Sequence, residues 1–401
     1  LGEGNIDALA ALRSVYSQPT AYAAARKAKG FGIVGYFCDS LPIELIEAAG
    51  LLPHRITGYP APSPLVLEQK LFALLPKGFW QVRQSSLEFL NHSFGRIVDG
   101  TYSMLDALVI PNTRKPLLNM YGQLRAAQAA FPDLRLPHLI VLDRAATRVD
   151  SAKAFNRESV VKFRADLEGW LSCPIADAAI GKAIRARRET ASALREVLSW
   201  RHTTPLRISG TDILSVMGAA MFMSNEDYGP LVKRLIDESR QASPPRRQAG
   251  TRVFVGGSPP DNPRLYELVE SLGATIVGED HCWGERYVDF SDDADGDPMA
   301  LLARRWDCSA ACGFRLPYSA TTQNIVTRAK AANAHAVILN VFRHDEIQIW
   351  DTPGQVNALR AAGLPVLHLA QQPHALEPTD ALRNQISDFL DSVRAHAAVA
   401  S

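Results

Sequence analysis

One pattern that occurs twice constrains this chain more than any other feature. Residues 31–58, FGIVGYFCDSLPIELIEAAGLLPHRITG, and residues 251–280, TRVFVGGSPPDNPRLYELVESLGATIVGED, follow the same grammar. Each opens on a short β-rich apolar run, at 33–37 and 253–255. A polar turn and a proline follow, Pro42 and Pro263, at the place where a helix can start without losing a needed N–H. An amphipathic helix comes next, over 43–49 and 265–272. Gly50 and Gly273 stand just past its end, where a left-handed residue is favoured. Another strand begins directly after. Strand, helix and strand within about 30 residues make the βαβ unit of a parallel sheet.

The parallel continues downstream. DALVIPN, RKPLLNMYGQLRAAQ and LPHLIVLD extend the first half; HAVILNVFRH, DTPGQVNALRAAG and LPVLHLAQ extend the second. These aliphatic runs lack the alternation of a half-exposed strand, so they are expected to be buried on both faces between helices. The fold class is therefore α/β, with two doubly wound parallel-sheet domains and an intervening helical segment. Helical patterns fill 156–172, 179–200, 210–223 and 228–240. QASPPRRQAG, 241–250, then forbids helix continuation and reads as a linker. The expected units are 1–150, 151–245 and 246–401.

Bulk chemistry excludes several classes. A formal charge of +1, from 43 basic against 42 acidic residues, provides no long-range field for nucleic acid or an anionic membrane. No run of about 18 apolar residues is present, and the N-terminus lacks a signal-peptide layout. The five cysteines, an odd number over 401 residues, read as free thiols of a reducing compartment, so the expected location is cytoplasmic. The chain opens on Leu1, which carries the expectation that a few residues precede it.

In open parallel sheets ligands bind beyond the carboxyl ends of the strands. The informative loops are therefore 38–41, 111–115, 256–260, 279–286 and 340–346. Arg114 and Arg343 occupy matching loops, so facing domains would point both guanidiniums into one cleft; an ion pair is the alternative. Cys38 is expected in that cleft, with Asp39 and Ser40 reading as helix caps rather than as activators of a nucleophile. In GEDHCWGERY, 278–287, the string of Glu279, Asp280, His281 and Cys282 is too dense for its side chains to converge on one metal ion. A polar loop using His281 or Arg286 on a ligand is the better reading, with Cys282 beside them. Cys308 and Cys312, four apart, read as buried small hydrophobes. The VGGSPPDNP turn lacks the spacing of a dinucleotide-binding loop.

Several ordered blocks carry a resemblance over nearly the whole chain. They are GYFCDSLPIELIEAAGLLPHRITG, DALVIPNTRKPLLNMY, EDHCWGERY with GDPMALLARRWDC, and HAVILNVFRHDEIQIWDTPGQVNALRAAGLPVLHL. The sequence resembles the catalytic subunits of 2-hydroxyacyl-CoA dehydratases and ATP-dependent benzoyl-CoA reductases, the family of the 2-hydroxyglutaryl-CoA dehydratase D-component. The resemblance implies paired flavodoxin-like domains, association with a related subunit as a heterodimer or heterotetramer, and an iron–sulfur cluster between the domains. It also implies an ATP-hydrolysing activator that feeds in single electrons, and an acyl-CoA thioester as ligand.

The departures matter as much. The three cluster-cysteine positions implied by the family read here as GFWQVRQ, with Phe79 or Trp80 in place of the thiolate, NTRKP, with Arg114, and NVFRHDE, with Arg343. None of these side chains ligates iron as a thiolate does. No metal or cofactor is then expected in this chain, and a [4Fe-4S] cluster is expected in the partner. Arg114 and Arg343 are expected to meet Asp345, Glu346, Asp39 or a ligand anion. The resulting expectation is a cluster-free subunit of a dehydratase- or reductase-type complex. Two rivals stand beside it: a non-catalytic scaffold whose cleft is closed by Arg–carboxylate pairs, and a redox-independent acyl-CoA lyase or hydratase using His281, His344 and Asp345 as acid–base groups.

Overall fold

The computed structural model describes residues 6–59, 88–203, 205–242, 250–289, 296–308 and 318–400. The first half runs α1 (Asp7–Ser17), α2 (Pro19–Ala28), β1 (Ile33–Tyr36), α3 (Ile43–Ala48), β2 (Leu52–Arg55), α4 (Glu88–Val98), β3 (Ala107–Asn112), α5 (Lys115–Ala130) and β4 (His138–Asp143). Four helices follow: α6 (Asp150–Leu171), α7 (Asp177–Ser199), α8 (Gly210–Ala219) and α9 (Asn225–Gln241). The second half runs β5 (Thr251–Gly257), α10 (Arg264–Ser271), β6 (Ala274–Glu279), α11 (Pro298–Cys308), α12 (Ser319–Ala331), β7 (Ala336–Phe342), α13 (Glu346–Ala361), β8 (Val366–Gln372) and α14 (Asp380–Ala400).

The strands form two four-stranded parallel sheets of order β2-β1-β3-β4 and β6-β5-β7-β8, the same order in both halves. Successive residues of a strand face opposite sides. Ile33 accordingly joins the cluster of Phe94, Leu117 and Leu124, while Val34 joins that of Leu45, Phe163 and Ile184. All of these are buried. At about 1.5–3 kcal/mol for each large aliphatic taken out of water, both faces of each sheet hold helices in place. Gly50 and Gly273, at φ 74° and 79°, end α3 and α10 in the left-handed conformation their positions require.

Two features differ from the sequence pattern. β1, β3, β5, β6 and β7 are buried almost throughout, but β4 and β8 are partly exposed. Each is the last strand of its sheet, where His138, Asp143, His368 and Gln371 meet no further strand; the edge strands at the other ends, β2 and β6, are buried throughout. Helix α1 also crosses over: Leu9, Leu12 and Tyr16 pack with Ile213, Val253 and Ile276, in the core of the second sheet rather than the first. The 241–250 linker lies largely outside the described residues, as does Cys312. Among the described residues no helix is long and apolar enough to cross a membrane.

Candidate functional site

The carboxyl ends of β1, β2, β3, β6 and β7 converge on one cavity of about 80 Å³. Phe37, Phe89, Leu117, Phe342 and Trp283 give it an apolar wall; Cys38, Arg55, Arg114, Cys282 and Asp345 supply its chemistry. This volume lies well below the ~300–1,000 Å³ of ordinary small-molecule sites, so it admits a small group or one end of a larger molecule.

Three of the sequence-predicted groups meet as the loops suggest. Arg114 ends the turn after β3, and its Nη1 lies 3.4 Å from Asp345 Oδ1, beyond β7. Asp345 is buried, and its other oxygen accepts a hydrogen bond from the Ser258 hydroxyl at 2.7 Å. Cys38 sits at the end of β1 with φ 66°, a left-handed conformation that costs a β-carbon-bearing residue about 1–3 kcal/mol. Its sulfur accepts from the Ser40 hydroxyl at 3.3 Å and lies 3.4 Å from Asp39 Oδ1. Asp39 and Ser40 therefore turn back onto the thiol. Neither caps the next helix: the N-cap of α3 is Pro42, with no side-chain cap hydrogen bond.

Cys282 joins the cavity through a residue the sequence pattern did not single out. Arg55, the last residue of β2, is buried and donates from Nη2 to the Cys282 sulfur at 2.8 Å. Its Nη1 donates to the Cys282 carbonyl at 2.7 Å and to Met221 Sδ at 2.9 Å. The guanidinium carbon stands 4.1 Å from the Trp283 ring centroid, a cation–π contact. Among the described residues no carboxylate accepts a hydrogen bond from it. Burial works against this charge, but Cys282, Asp39 and Tyr36 hold the Arg55 pKa above its ordinary value. Burial pushes the Cys282 thiol up to about 12, against the lowering pull of Arg55.

The other predicted residues point elsewhere. His281 is buried behind the cavity, with Nε2 2.7 Å from the Tyr266 hydroxyl, and burial pushes its pKa down to about 4. Arg286 donates from Nε to Asp280 at 2.6 Å. Burial would raise the Asp280 pKa, yet Arg286 and Arg328 hold it below the usual range. Arg343 does not join Arg114. It is half exposed, donates to the Gln371 carbonyl at 3.1 Å and lies 3.6 Å from Glu88. His344 is exposed, at φ 61°. Residue 342, not 343, faces inward at the end of β7, because inward and outward positions alternate along a strand. Phe79 and Trp80 lie outside the described residues, and Cys308 ends α11. Among the described residues no group of three His, Cys, Asp or Glu side chains is placed to hold a metal ion.

Below the cavity a buried contact joins the two halves. Asp261 Oδ1 lies 2.8 Å from His374 Nε2, and its Oδ2 accepts the Gly58 N–H at 2.7 Å. His374 Nδ1 is 3.1 Å from His92 Nδ1. Nothing in the spacing of these residues announces the contact; it arises because the loop after β8 packs against α4, where His374 meets Glu88, Phe89 and His92.

Comparison with known proteins gives the same frame. Residues 38–393 match the family model described as 2-hydroxyglutaryl-CoA dehydratase, D-component. The β subunit of (R)-2-hydroxyglutaryl-CoA dehydratase from Acidaminococcus fermentans is 25% identical, over 88% of this chain and 90% of its own length. A benzoyl-CoA reductase subunit from Thauera aromatica is 22% identical, over 68% of this chain and 67% of its own.

Proposed function

The chain belongs to the 2-hydroxyglutaryl-CoA dehydratase D-component family, and on that premise we propose that it is the cluster-free subunit of an acyl-CoA dehydratase- or reductase-type complex. It works in the cytoplasm with a related subunit that carries the [4Fe-4S] cluster, served by an ATP-dependent activator. The observation that carries this reading is the Arg114–Asp345 pair, which stands where the family resemblance puts a thiolate and its loop. The rest of the donor set agrees. Cluster ligation by cysteine needs several thiolates on one centre. Among the described residues this cavity has two thiols, Cys38 and Cys282, one of them kept neutral by burial, facing the Arg55 and Arg114 guanidiniums. Such a set does not fit a cluster.

The same set suits a thioester. Arg55 has five N–H donors, and the contacts above engage three of them, so it can still donate to a thioester carbonyl. The aromatic wall excludes water from the acyl chain. Arg114, held by Asp345, offers a second cation at the cavity mouth for a carboxylate or phosphate.

A second reading is favoured by the ion pairs themselves: Arg114–Asp345 and Arg343–Glu88 span the halves and would close the cleft of a non-catalytic scaffold. One preparation separates the readings. The chain is purified anaerobically, alone and with whichever family member travels with it, and iron and acid-labile sulfide are measured per chain. The proposal expects neither in the lone chain and both in the partner. Stoichiometric iron in the lone chain would overturn it. Calorimetry of the pair with CoA and acyl-CoA thioesters then decides between ligand-binding subunit and scaffold, since a scaffold gives no heat.

A further inference from the structure

Two imidazoles meet nitrogen to nitrogen where the halves of the protein join. His374, in the loop after β8, is fully buried, and its Nδ1 lies 3.1 Å from Nδ1 of half-buried His92 on α4. Its other ring nitrogen, Nε2, lies 2.8 Å from Asp261 Oδ1, in the loop after β5. The His374 ring is wedged in place. Its centroid stands 5.5 Å from that of Phe89 and 5.4 Å from that of Phe342, and a β-carbon at Gly58 would come within 2.8 Å of its Cε1.

The neighbours fix how many hydrogens this contact can hold. Burial works against the Asp261 carboxylate, but His374, the Gly58 N–H and Asn262 hold its pKa down to about 2, so it only accepts. Nε2 of His374 therefore carries a hydrogen. Two nitrogens at hydrogen-bond distance have room for one hydrogen between them, so one Nδ1 donates and the other accepts. When both rings are imidazolium each Nδ1 is a donor, and the contact then opposes two hydrogens and two positive charges.

The same residues tie the halves together. Asp261 Oδ2 accepts the N–H groups of Gly58 at 2.7 Å and Tyr59 at 3.2 Å, and Glu88 of α4 accepts the His374 N–H at 2.8 Å. Asp261 and Glu88 are the charged groups that face the rings among the described residues. Arg343, from the loop after β7, lies 3.6 Å from Glu88, and Arg96 of α4 and Arg264 of α10 reach Tyr59. One imidazolium is thus balanced by Asp261, and Glu88 is already shared with Arg343.

We propose that His92 and His374 form an acid-sensitive latch between the two halves, closed while the rings share one hydrogen and released when both are imidazolium. Imidazoles change charge between pH 5 and 8, so the latch works in that range. The released form holds one more proton than the closed form, so acid favours release, by up to about tenfold per pH unit. Phe89 and Phe342, which pack on His374, also line the cleft cavity, so release slackens that wall. The latch does not depend on the function proposed for the cleft.

Hydrogen exchange of the full chain, read by mass spectrometry and corrected for the intrinsic effect of pH, tests it, with β3 as the reference for global opening. Between pH 6.5 and 5.5 the peptides holding Gly58 with Tyr59, and His374, should lose up to about tenfold more protection than β3. His92→Gln keeps a side-chain donor for His374 Nδ1 but takes up no proton. It is expected to preserve protection at pH 7.5 and to abolish the acid loss. Where that variant does not fold, ring-15N histidine spectra of the unchanged chain carry the test: the two rings should share one Nδ1 hydrogen at pH 7.5 and hold two at pH 5.5. An acid loss no larger than that of β3, an equal loss in His92→Gln, or two Nδ1 hydrogens already present at pH 7.5 would each overturn the latch.

Discussion

Arg114 and Asp345 lie 231 positions apart in the chain, yet Nη1 of one stands 3.4 Å from Oδ1 of the other. Each follows the third strand of its sheet in chain order, so the pair is the point where the two repeats face each other. Breaking a buried ion pair by removing one partner costs about 3–5 kcal/mol; the length of this contact and the partial exposure of Arg114 bring the expectation to about 2 kcal/mol. Urea unfolding of Asp345→Ala should show that loss. The double variant Arg114→Met/Asp345→Ala should lose less than the sum of the single changes. Strict additivity would mean that the pair does not couple the halves.

The thiols should react in an order set by burial. Cys173 is exposed, Cys38 is half-buried, and the Cys282 thiol stays neutral up to about pH 12. The thiolate is the reactive form. Iodoacetamide at pH 8 followed by peptide mapping should therefore modify Cys173 before Cys38, with Cys282 last of these three. Raising the pH to 9 should still leave Cys282 untouched in folded protein. Early alkylation of Cys282 would show that its burial is transient.

His54 gives a pH dependence with a definite sign. Its ring lies between Tyr102 and Phe222, both ring nitrogens lack a partner among the described residues, and burial pushes its pKa down to about 3. An unfolded imidazole takes up its proton near pH 6.5, the folded one only near 3. Across that interval the unfolded state binds more protons, so stability falls on acidification by about 1.4 kcal/mol per pH unit. His281, at about 4, adds a similar slope above its own pKa. Between pH 6 and 5, where other groups also contribute, His54→Leu should shrink the loss by about 1 kcal/mol. It should also cost little at pH 7, where it removes two unmet polar atoms. An unchanged slope would place the proton uptake elsewhere.

Glu44 ties the helical segment to the first sheet. It is fully buried in α3; Arg305 of α11 donates to it from Nη2 at 2.7 Å, and Arg187 Nε of α7 lies 3.3 Å away. Glu44→Ala leaves two guanidiniums without their shared carboxylate and should cost about 3–5 kcal/mol. Glu44→Gln should cost less, because it retains a hydrogen-bond acceptor. Chemical denaturation of both variants checks the order, and equal losses would point to packing rather than charge.

Much of the architecture is legible in the residues. The two-fold grammar, the aliphatic runs and the glycines at positions 50 and 273 are local signals, and local signals report local conformation. They locate the strands to within about two residues and say which loops lie at the carboxyl ends. Cys38, Arg114 and Asp345 could be placed near one another for that reason. Arg55 could not: at the end of β2 it reads as one polar residue in HRITG, and its value comes from Cys282 and Trp283, more than 200 positions away in the chain. Arg343 takes the ion pair that stood as the alternative to the cleft, with Glu88, since a matching loop position does not set which side of a strand end a residue faces.

Read alone, the amino-acid order settles the repeat, the parallel sheets and the edge of each sheet where chemistry gathers, because hydrophobic period and glycine conformation act within a few residues. Packing alone decided that His281 turns inward to Tyr266, that Arg343 turns out to Glu88, that α1 crosses to the far core, and that Asp261 meets His374. Those outcomes depend on contacts between distant segments, whose energies are set by which surfaces meet when both halves close and by no pattern inside either one.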